Sequence, residues 1–406
     1  MANASIEQTR PAGRLLGPQF EPPVARAPYA TMPAASRGRL YPEPESATRT
    51  CYQRDRDRII HSTAFRRLKH KTQVFVQHEG DYYRTRMTHS LEVAQIARSA
   101  ARVLALDEDL AEAVALAHDL GHTPFGHAGE EALAAAAASI GGFDHNAHGL
   151  RLVAKLEHRY AAFDGLNLTW ETLEGLVKHN GPLTPPLAGP IARFDAHWPL
   201  DLSTWPGLEA QIAAMADDIA YLNHDIDDGL RAKLFGVEDL FEAPLAGPRA
   251  REIVKQYGEL ETGRFIGELV RTLIGMLVED MLDETSRRIA AFRPASVGQV
   301  RAAGRALVGF TSGMESRAAA LKQFLFARMY RHERVMATMN RAKRLIAELF
   351  AAFLREPALL PPDWAAACGA PGDAVTAGVV RDYIAGTTDN YALREYGRIF
   401  HKDIAL

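Results

Sequence analysis

A short segment, His118 to Glu130, carries three histidines and two carboxylates among small and apolar residues. Histidine is the side chain that titrates nearest neutral pH, and imidazole together with carboxylate binds borderline divalent metals. A solvated face would instead favour lysine and glutamate, and a packed core would avoid so many imidazoles. The segment therefore favours a metal-dependent hydrolase.

The His118–Asp119 pair needs partners, because a His–Asp dipeptide also arises by chance and a second one stands at 224–225. Two further candidate ligands lie elsewhere in the chain: His89, close after Arg86, and Asp217, on a strongly periodic helix. Two imidazoles and two carboxylates could surround one ion. That set suits manganese, iron, nickel or zinc, whereas an all-oxygen set would suit magnesium or calcium better.

The remaining polar residues of the segment are predicted to act on protons or phosphate. Because a metal already has four candidate ligands, His122 and His127 are better placed as proton carriers or phosphate contacts. Glu130 lies three residues after His127, so the two side chains are neighbours on one helix. A carboxylate beside an imidazole fixes its tautomer and raises its basicity. The alternative for Glu130 is an ordinary charge at a helix N-terminus.

The composition bounds the class of protein. The 406 residues are 47% hydrophobic, and the formal net charge of −3 gives no global attraction to nucleic acid. Cys51 and Cys368 are too few for a disulfide framework, which fits the reducing cytoplasm. The first 45 residues contain eight prolines and no continuous apolar run. This predicts a disordered tail over 1–45 and no signal peptide, and no transmembrane helix is expected.

Helical periodicity dominates the chain from about residue 50 and predicts an all-α fold. The exception is a small β-hairpin, at most, near 72–86. Thr88 is predicted to cap a helix that runs to about Leu104, with His89 in its first turn. Asp107 is predicted to cap the next helix, which would end at Gly121 in the left-handed conformation.

A long amphipathic helix is predicted over 208–235, after a loop or insertion with six prolines at 181–207. Its apolar stripe includes Ile212, Ile219 and Ile226, and Asp217, Tyr221 and Asp225 fall on the opposite face. A solvated acidic face is the ordinary interpretation. A phenol between two carboxylates gains little from bulk water, however, so these three are predicted site residues.

Three regions are expected. They are the tail at 1–45, a catalytic core at 46–235, and a helical region at 236–406 that completes the site and the subunit contacts. Further helical patterns lie at 260–290, 315–355 and roughly 374–385. A basic cluster at 54–71 is interleaved with Asp55 and Asp57, so structural pairing is the default for its arginines, and nucleic acid is not indicated.

Several blocks resemble the dGTPase-like deoxynucleoside triphosphate triphosphohydrolases of the His-Asp (HD) superfamily, in family order over about residues 50–400. They are RDRDRIIH at 54–61, AFRRL at 64–68, KTQVF at 71–75, YRTRMTH at 83–89, HDLGHTPFGH at 118–127, ADDIAY at 216–221, YRH at 330–332 and DYIAG at 382–386. One departure is Glu333, where relatives often carry proline or a basic residue. The Pro-rich tail lies outside the resemblance.

The resemblance implies an HD-domain helical core and hydrolysis of a dNTP, such as dGTP, to a deoxynucleoside and tripolyphosphate. It implies one divalent metal ion (Mn, Mg, Fe, Ni or Zn), held by His89, His118, Asp119 and Asp217. His127 with Glu130 matches the acid–base pair, and His122 matches a histidine near the α-phosphate. The implied substrate contacts are Arg86 at the phosphates, Gln73, Tyr221 and Asp225 around the deoxyribose, and, on the base and phosphate sides, Tyr330 and Lys322.

We therefore expect a cytoplasmic homo-oligomer that acts on dNTPs and has no membrane partner. One alternative is another HD-type nucleotide phosphohydrolase, such as a nucleotidase or a cyclic-nucleotide phosphodiesterase. A second alternative, of a different class, is a nucleotide-sensing oligomer with weak or no catalysis. The extent of the resemblance argues against the first, and the intact set of candidate ligands argues against the second.

Overall fold

The computed structural model describes residues 25–73 and 84–402, which form helices joined by turns. Within these ranges there are eighteen α-helices and no β-strand, and this confirms the predicted all-α fold. The helices are α1 Cys51–Ile60, α2 Thr63–Arg67, α3 Arg86–Val103, α4 Glu108–Ala117, α5 Gly126–Ala136, α6 His145–Arg151, α7 Trp170–Val177, α8 Gly189–His197, α9 Leu208–Arg231, α10 Val237–Leu240, α11 Ala246–Tyr257, α12 Thr262–Phe292, α13 Val297–Arg301, α14 Ser312–Leu325, α15 Glu333–Arg355, α16 Pro362–Ala366, α17 Ala374–Gly386 and α18 Asp389–Phe400.

The buried apolar side chains form two clusters. The larger cluster lies mainly among α1, α3, α4, α7, α9 and α12, and the smaller one lies among α5, α15, α17 and α18. Leu120 belongs to the larger cluster and Phe125 to the smaller one. The turn at 118–125 is therefore anchored in both cores, and burial of its apolar side chains holds the polar ones in place.

Residues 25–45 pack against the helices, although the sequence analysis assigned them to a disordered tail. Ala30 is buried, and Thr31 donates two hydrogen bonds to Glu209, from its backbone nitrogen at 2.8 Å and from its hydroxyl at 2.6 Å. Arg39 pairs with the buried Asp55. The prediction that ordered structure begins near residue 50 is wrong, because long-range polar contacts order this segment without an apolar run.

Two predicted helix ends differ in the structure. Thr85, three residues before Thr88, caps α3, and Thr88 closes the capping box from inside the helix. Asp107 caps α4 as predicted. Gly121 does not adopt the left-handed conformation; a Cβ atom there would lie 1.9 Å from the backbone oxygen of His145. Glycine is needed at 121 because α6 passes so close.

The predicted hairpin falls mostly outside the described residues. Its base is present as one antiparallel bridge between Thr72 and Thr85. The Pro-rich stretch at 181–207 is only partly a loop, because it contains α8 with a proline in its first turn. Proline is compatible with that position since the first helical N–H groups have no intrahelical partner.

The predicted amphipathic helix is α9, and both of its faces are enclosed in its C-terminal part, from Leu222 to Leu230. Ile212, Ile219 and Ile226 are buried as the stripe predicted, yet Asp225 and Asp228 on the opposite face are buried as well. A helix covered on both sides must place its polar residues against partners in the protein. The interpretation as a solvated surface is therefore wrong for Asp225 and Asp228.

Most arginines of the basic cluster pair inside the protein, as expected. Arg56 contacts Asp109 at 2.8 Å, and Arg58 contacts Glu43 at 2.7 Å. Within the described ranges, no helix combines the length and the apolar character needed to cross a bilayer.

Candidate active site

Two histidines direct a ring nitrogen into one buried space between α3, α4 and α9. His89 lies near the start of α3, where the Thr85 cap sets the first turn. His118 follows the last residue of α4, and its Nδ1 lies 2.6 Å from the backbone oxygen of Ala115. A carbonyl oxygen only accepts hydrogen bonds, so Nδ1 of His118 carries the proton and Nε2 keeps its lone pair.

Two carboxylates face these imidazoles. Oδ1 of Asp217 lies 2.8 Å from Nε2 of His89 and 3.6 Å from Nε2 of His118. Oδ1 of Asp119 lies 3.5 Å from Nε2 of His118, and Oδ2 of Asp119 lies 4.0 Å from Nε2 of His89. We call these four residues the His–Asp cluster. The structure thus brings together the four side chains that the sequence predicts as metal ligands.

The carboxylates of the His–Asp cluster are held in the ionised form. Burial alone would raise the pKa of Asp119, but the Arg86 guanidinium and nearby imidazoles hold it well below its usual value. Burial also opposes ionisation of Asp217, and again the surrounding imidazoles lower its pKa well below the usual value. Burial lowers the pKa of His118, whereas at His89 the contact with Asp217 outweighs burial and raises the pKa. Ionised carboxylates and neutral imidazoles are the forms that bind a metal.

The cluster leaves coordinating atoms without other partners. Nε2 of His118 and Oδ2 of Asp119 are buried and make no hydrogen bond within the described part of the chain. Such an atom costs about 1–3 kcal/mol unless it is satisfied, and a divalent cation held by the four groups would satisfy both. Mixed nitrogen and oxygen donors suit manganese, iron, nickel or zinc. The residues present therefore fit one divalent metal.

A third histidine, His179, contacts the His–Asp cluster, and sequence reasoning missed it. Its Nε2 lies 3.2 Å from Oδ2 of Asp217, and its ring stacks on His118 with 5.3 Å between the centroids. His179 follows the end of α7 and has no helical spacing to the other ligands. Its only local signal is a polar run directly after an apolar helix, which is a weak one.

A second cluster of titratable groups, His122, Glu130 and His145, adjoins the first. Nδ1 of His122 lies 3.0 Å from Oδ1 of Asp119, and its ring stacks on His145 at 4.1 Å. Oε1 of Glu130 accepts hydrogen bonds from Nδ1 of His145 at 2.9 Å and from its backbone nitrogen at 3.0 Å. Burial would lower the pKa of His145, but Glu130 raises it. His145 is the second site histidine that sequence reasoning missed.

The pairing of His127 with Glu130 is looser than the sequence suggested. Nδ1 of His127 lies 3.7 Å from Oε2 of Glu130, beyond hydrogen-bond length, and the His127 side chain is 61% exposed. The spacing on α5 does make the two residues neighbours. His145 approaches from α6, however, and donates a hydrogen bond to Oε1 of Glu130. Local spacing along the sequence could not reveal this contact. His127 is thus an imidazole open to an incoming molecule.

Two buried side chains from elsewhere hold the 118–125 turn. Nζ of Lys71 donates to the backbone oxygen of His122 and to one in α17. Asp389, at the start of α18, accepts a hydrogen bond from the backbone nitrogen of Phe125 at 2.9 Å. Phe125 has a φ of 62°, a left-handed conformation that costs on the order of 1 kcal/mol. The C-terminal helices therefore help to position the site.

Arg86 and Gln73 lie on the α5 side of the His–Asp cluster. Nη1 of Arg86 donates to Oδ1 of Asp119 at 2.9 Å. A Cβ atom on Gly126 would lie 3.3 Å from Nη2 of Arg86 and 3.5 Å from the backbone oxygen of Gln73. Oε1 of Gln73 is buried and has no hydrogen-bond partner among the residues described. Gln73 thus offers a free acceptor beside the start of α5.

Two phenols and a carboxylate continue the site along α9. The Tyr221 hydroxyl donates to that of Tyr330 at 2.5 Å, and Tyr330 donates to Oδ2 of Asp225 at 3.0 Å. Burial raises the pKa of Asp225 well above its usual value. Lys322 lies at the exposed edge, with Nζ 5.4 Å from the centre of the Tyr221 ring and 3.4 Å from Oδ1 of Asp218.

Convergence of one histidine, a His–Asp pair and a distant aspartate in an all-α domain defines the HD class. The HD domain family model matches residues 86–222, which include the whole His–Asp cluster. A second model, the phosphohydrolase-associated domain, matches residues 308–398. The protein is an HD-domain phosphohydrolase. Its His–Asp cluster is of the kind that binds a divalent metal in HD domains.

Curated relatives narrow the class to a family. A deoxyguanosinetriphosphate triphosphohydrolase-like protein of Parvibaculum lavamentivorans is 61% identical over 384 residues, covering 93% of this chain and 97% of the relative. The proteins of the same name from Brucella ovis and Caulobacter sp. are 58% and 54% identical, over 93% and 94% of this chain and 96% and 98% of their own. The chain belongs to the deoxyguanosinetriphosphate triphosphohydrolase-like family of HD-domain proteins.

Proposed function

We propose that the protein hydrolyses deoxynucleoside triphosphates at the α-phosphorus and releases a deoxynucleoside and tripolyphosphate. The observation that carries the proposal is the order of groups along α9. Asp217 of the His–Asp cluster is followed one turn later by Tyr221 and another turn later by Asp225. A turn rises by about 5.4 Å, so a phosphate at the cluster places the attached sugar against the phenols. The relatives' names, which refer to deoxyguanosine triphosphate, agree with this order.

The reaction joins a water oxygen to the α-phosphorus and breaks the bond from that phosphorus to the 5′-oxygen, which leaves with a proton. The four residues of the His–Asp cluster would hold a divalent metal, which would supply Lewis-acid polarisation of the phosphate and activation of water. Arg86 and His122 lie beside the cluster and contact the phosphate. The Arg86 guanidinium is a positioned cation and stabilises the charge that develops there. Burial lowers the pKa of His122 well below its usual value, so His122 contacts the phosphate as a neutral imidazole. Lys322 adds positive charge at the exposed edge.

Proton transfer is the task of His127 and Glu130. The His127 ring is exposed, so an incoming molecule can contact it, and Glu130 lies beside it. Glu130 also holds His145 against His122. The loss of Glu130 therefore affects two imidazoles, whereas the loss of His127 removes the proton carrier itself.

Selection for deoxyribose rests on Tyr221 and Gln73. The Tyr221 ring is fixed by its bond to Tyr330, and Tyr330 is fixed by Asp225. An aromatic ring packed on C2′ leaves no room for a hydroxyl, and an unpaired buried hydroxyl costs about 1–3 kcal/mol. The buried Oε1 of Gln73, which has no hydrogen-bond partner among the described residues, suits a 3′-hydroxyl. Deoxynucleotides are therefore preferred over ribonucleotides.

Product analysis tests the proposed function. Purified protein is incubated with dGTP and Mn²⁺, and the products are separated by ion chromatography. Equal amounts of deoxyguanosine and tripolyphosphate are expected. Orthophosphate with dGDP, or pyrophosphate with dGMP, would show another nucleotide phosphohydrolase, and the absence of products with all four dNTPs, alone and in pairs, would indicate a nucleotide sensor.

Isotope labelling identifies the atom that water attacks. In ¹⁸O-labelled water, attack at the α-phosphorus places the label in tripolyphosphate. Label in the deoxynucleoside would mean cleavage at the 5′-carbon and would contradict the assignment. The Asp119→Ala variant, run in parallel, excludes a contaminating phosphatase because a contaminant keeps its activity in that sample.

Three further expectations from the sequence stay predictions. These are the division into a core at 46–235 and a region at 236–406, the homo-oligomer, and the cytoplasmic location. Light scattering coupled to size-exclusion chromatography measures the mass of the particle in solution, and a value equal to that of one chain would rule out the homo-oligomer.

A further inference from the structure

The second His–Asp pair of the sequence, His224–Asp225, lies two turns beyond Asp217 on α9. The Asp225 side chain contacts the phenol of Tyr330, whereas the His224 side chain points toward α3. Nδ1 of His224 lies 3.1 Å from Nδ1 of His89, and both rings are buried. His224 thus contacts a residue of the His–Asp cluster from the side away from the cluster centre.

A carboxylate occupies the other nitrogen of His224. Nε2 of His224 contacts Glu92, which lies on α3 three residues after His89. Arg84 donates to the same carboxylate at 3.0 Å and to Asp227 of α9 at 2.9 Å. The contacts form a chain from a partly exposed carboxylate through two imidazoles to the His–Asp cluster.

The positions of the protons in this chain follow from valence. A neutral imidazole has one N–H, and two nitrogens that face each other share a single hydrogen. A metal bound at Nε2 of His89 requires the proton of that ring at Nδ1, where it is donated to Nδ1 of His224. His224 then carries its own proton at Nε2 and donates it to Glu92. One arrangement satisfies all four nitrogens.

The two imidazoles of the cluster are therefore oriented differently. Nδ1 of His118 is held by the backbone oxygen of Ala115, an acceptor that every residue type at position 115 supplies. Nδ1 of His89 is held by a side chain, and that side chain is held by another. The orientation of His89 thus depends on residues that can be exchanged one at a time.

We propose that His224 and Glu92 are positioning residues that set the tautomer and orientation of His89 and thereby the metal affinity of the His–Asp cluster. The inference rests on the metal-ligand role of His89 in the proposed function. Partners that hold a ligating histidine in this way typically contribute about 10- to 100-fold in metal affinity. In the second His–Asp pair, the histidine then positions a metal ligand and the aspartate holds the phenol of Tyr330.

Mn²⁺ binding to the metal-free protein, measured by calorimetry without nucleotide, tests the proposal. His224→Leu removes the acceptor for His89, and the Mn²⁺ affinity is expected to fall by about 10- to 100-fold. His224→Asn places an amide oxygen near the position of the lost Nδ1 and is expected to restore most of the affinity. Glu92→Gln keeps the shape but weakens the acceptor, so a smaller loss is expected. Gln95→Ala, an exposed site one turn further along α3, is the matched control and should bind Mn²⁺ like the wild type.

Two outcomes would overturn the proposal. The first is an affinity of His224→Leu within twofold of wild type. The second is a His224→Asn variant as impaired as His224→Leu, which would show that ring volume and not the hydrogen bond matters. Circular dichroism establishes whether each variant is folded. If His224→Leu is unfolded, the Mn²⁺ affinity of Glu92→Gln tests the proposal instead. Asp119→Ala separates this inference from the proposed function: if it too binds Mn²⁺ normally, the metal site itself is wrongly assigned.

Discussion

The two ends of the site along α9 use aspartate in opposite ways. At one end Asp217 lies among imidazoles, which hold its pKa well below its usual value against the effect of burial. At the other end Asp225 lies against phenols, and burial raises its pKa well above the usual value. We call these the imidazole end, Asp217 with His89, His118 and His179, and the phenol end, Asp225 with Tyr221, Tyr330 and Asp228.

The comparison shows that the neighbours, and not the helix, determine whether a buried carboxylate carries charge. Imidazoles accept protons or bind a cation, so they stabilise an adjacent carboxylate in its ionised form. A phenol stays neutral when buried; burial raises the pKa of Tyr330 well above its usual value. The imidazole end therefore suits a metal and a phosphate, and the phenol end suits neutral hydroxyl groups such as those of a sugar.

The largest effect is expected at the imidazole end. Asp119→Ala or His118→Ala removes one of the four proposed ligands, and we expect loss of both metal binding and activity while the helical fold persists. Elemental analysis of the purified variants measures the metal, and circular dichroism measures the fold. Asp239→Ala, at a partly exposed carboxylate on α10, is the control. Full metal content with normal turnover in either variant would remove that residue from the site.

The next effect separates metal binding from proton transfer. His127→Ala is expected to keep the metal but to lose turnover by about 10²–10⁴-fold, the usual contribution of a general acid–base group. Glu130→Ala is expected to cause a smaller loss in the same direction. Steady-state kinetics with parallel metal analysis measures both. Release of the metal by His127→Ala would make His127 a ligand and contradict its assignment.

The phenol end is tested by sugar selectivity. Tyr221→Ala is expected to slow dGTP hydrolysis and to lower the ratio of dGTP to GTP activity by roughly 5- to 150-fold, the equivalent of about 1–3 kcal/mol. Tyr221→Phe is the matched control, because it keeps the ring and loses only the bond to Tyr330. If the alanine variant loses rate at an unchanged ratio, Tyr221 is a packing residue and the discrimination lies elsewhere.

The smallest effect concerns the charge of Asp228 and appears in stability. Burial raises its pKa to about 7, with Arg84 opposing the shift and Asp227 adding to it. Since the unfolded carboxyl titrates near 3.8, the folded protein binds more protons between these values, and this contribution to stability is lost as the pH rises through about 7. At pH 8 the melting temperature of Asp228→Asn is therefore expected to exceed that of the wild type by about 2 °C. At pH 4 the two melting temperatures are expected to be the same. Thermal melts at the two pH values measure the difference, and a constant gap between the curves would assign no titration to Asp228.

Local sequence patterns predict much of the fold and part of the site. The spacing of Ile212, Ile219 and Ile226 predicts α9, and the Asp107 cap predicts the start of α4, because both depend on residues a few positions apart. The four residues of the His–Asp cluster were predicted from their types and from the blocks in which they stand. For Tyr221, a phenol between two carboxylates was itself the signal, since such a residue gains nothing from bulk water.

Contacts between distant segments were decided by the tertiary structure alone. The segment at 25–45 reads as a tail because its anchors, such as Glu209, lie far along the chain. His179 and His145 join the site because α7 ends beside α4 and because Gly121 lets α6 approach. For the same reason Glu130 turns to His145, and His224 meets His89. The sequence by itself determined which helices form and which chemical groups are available, since these follow from near neighbours. Which group faces which was decided by the crossing of helices, since that depends on the packing of whole elements.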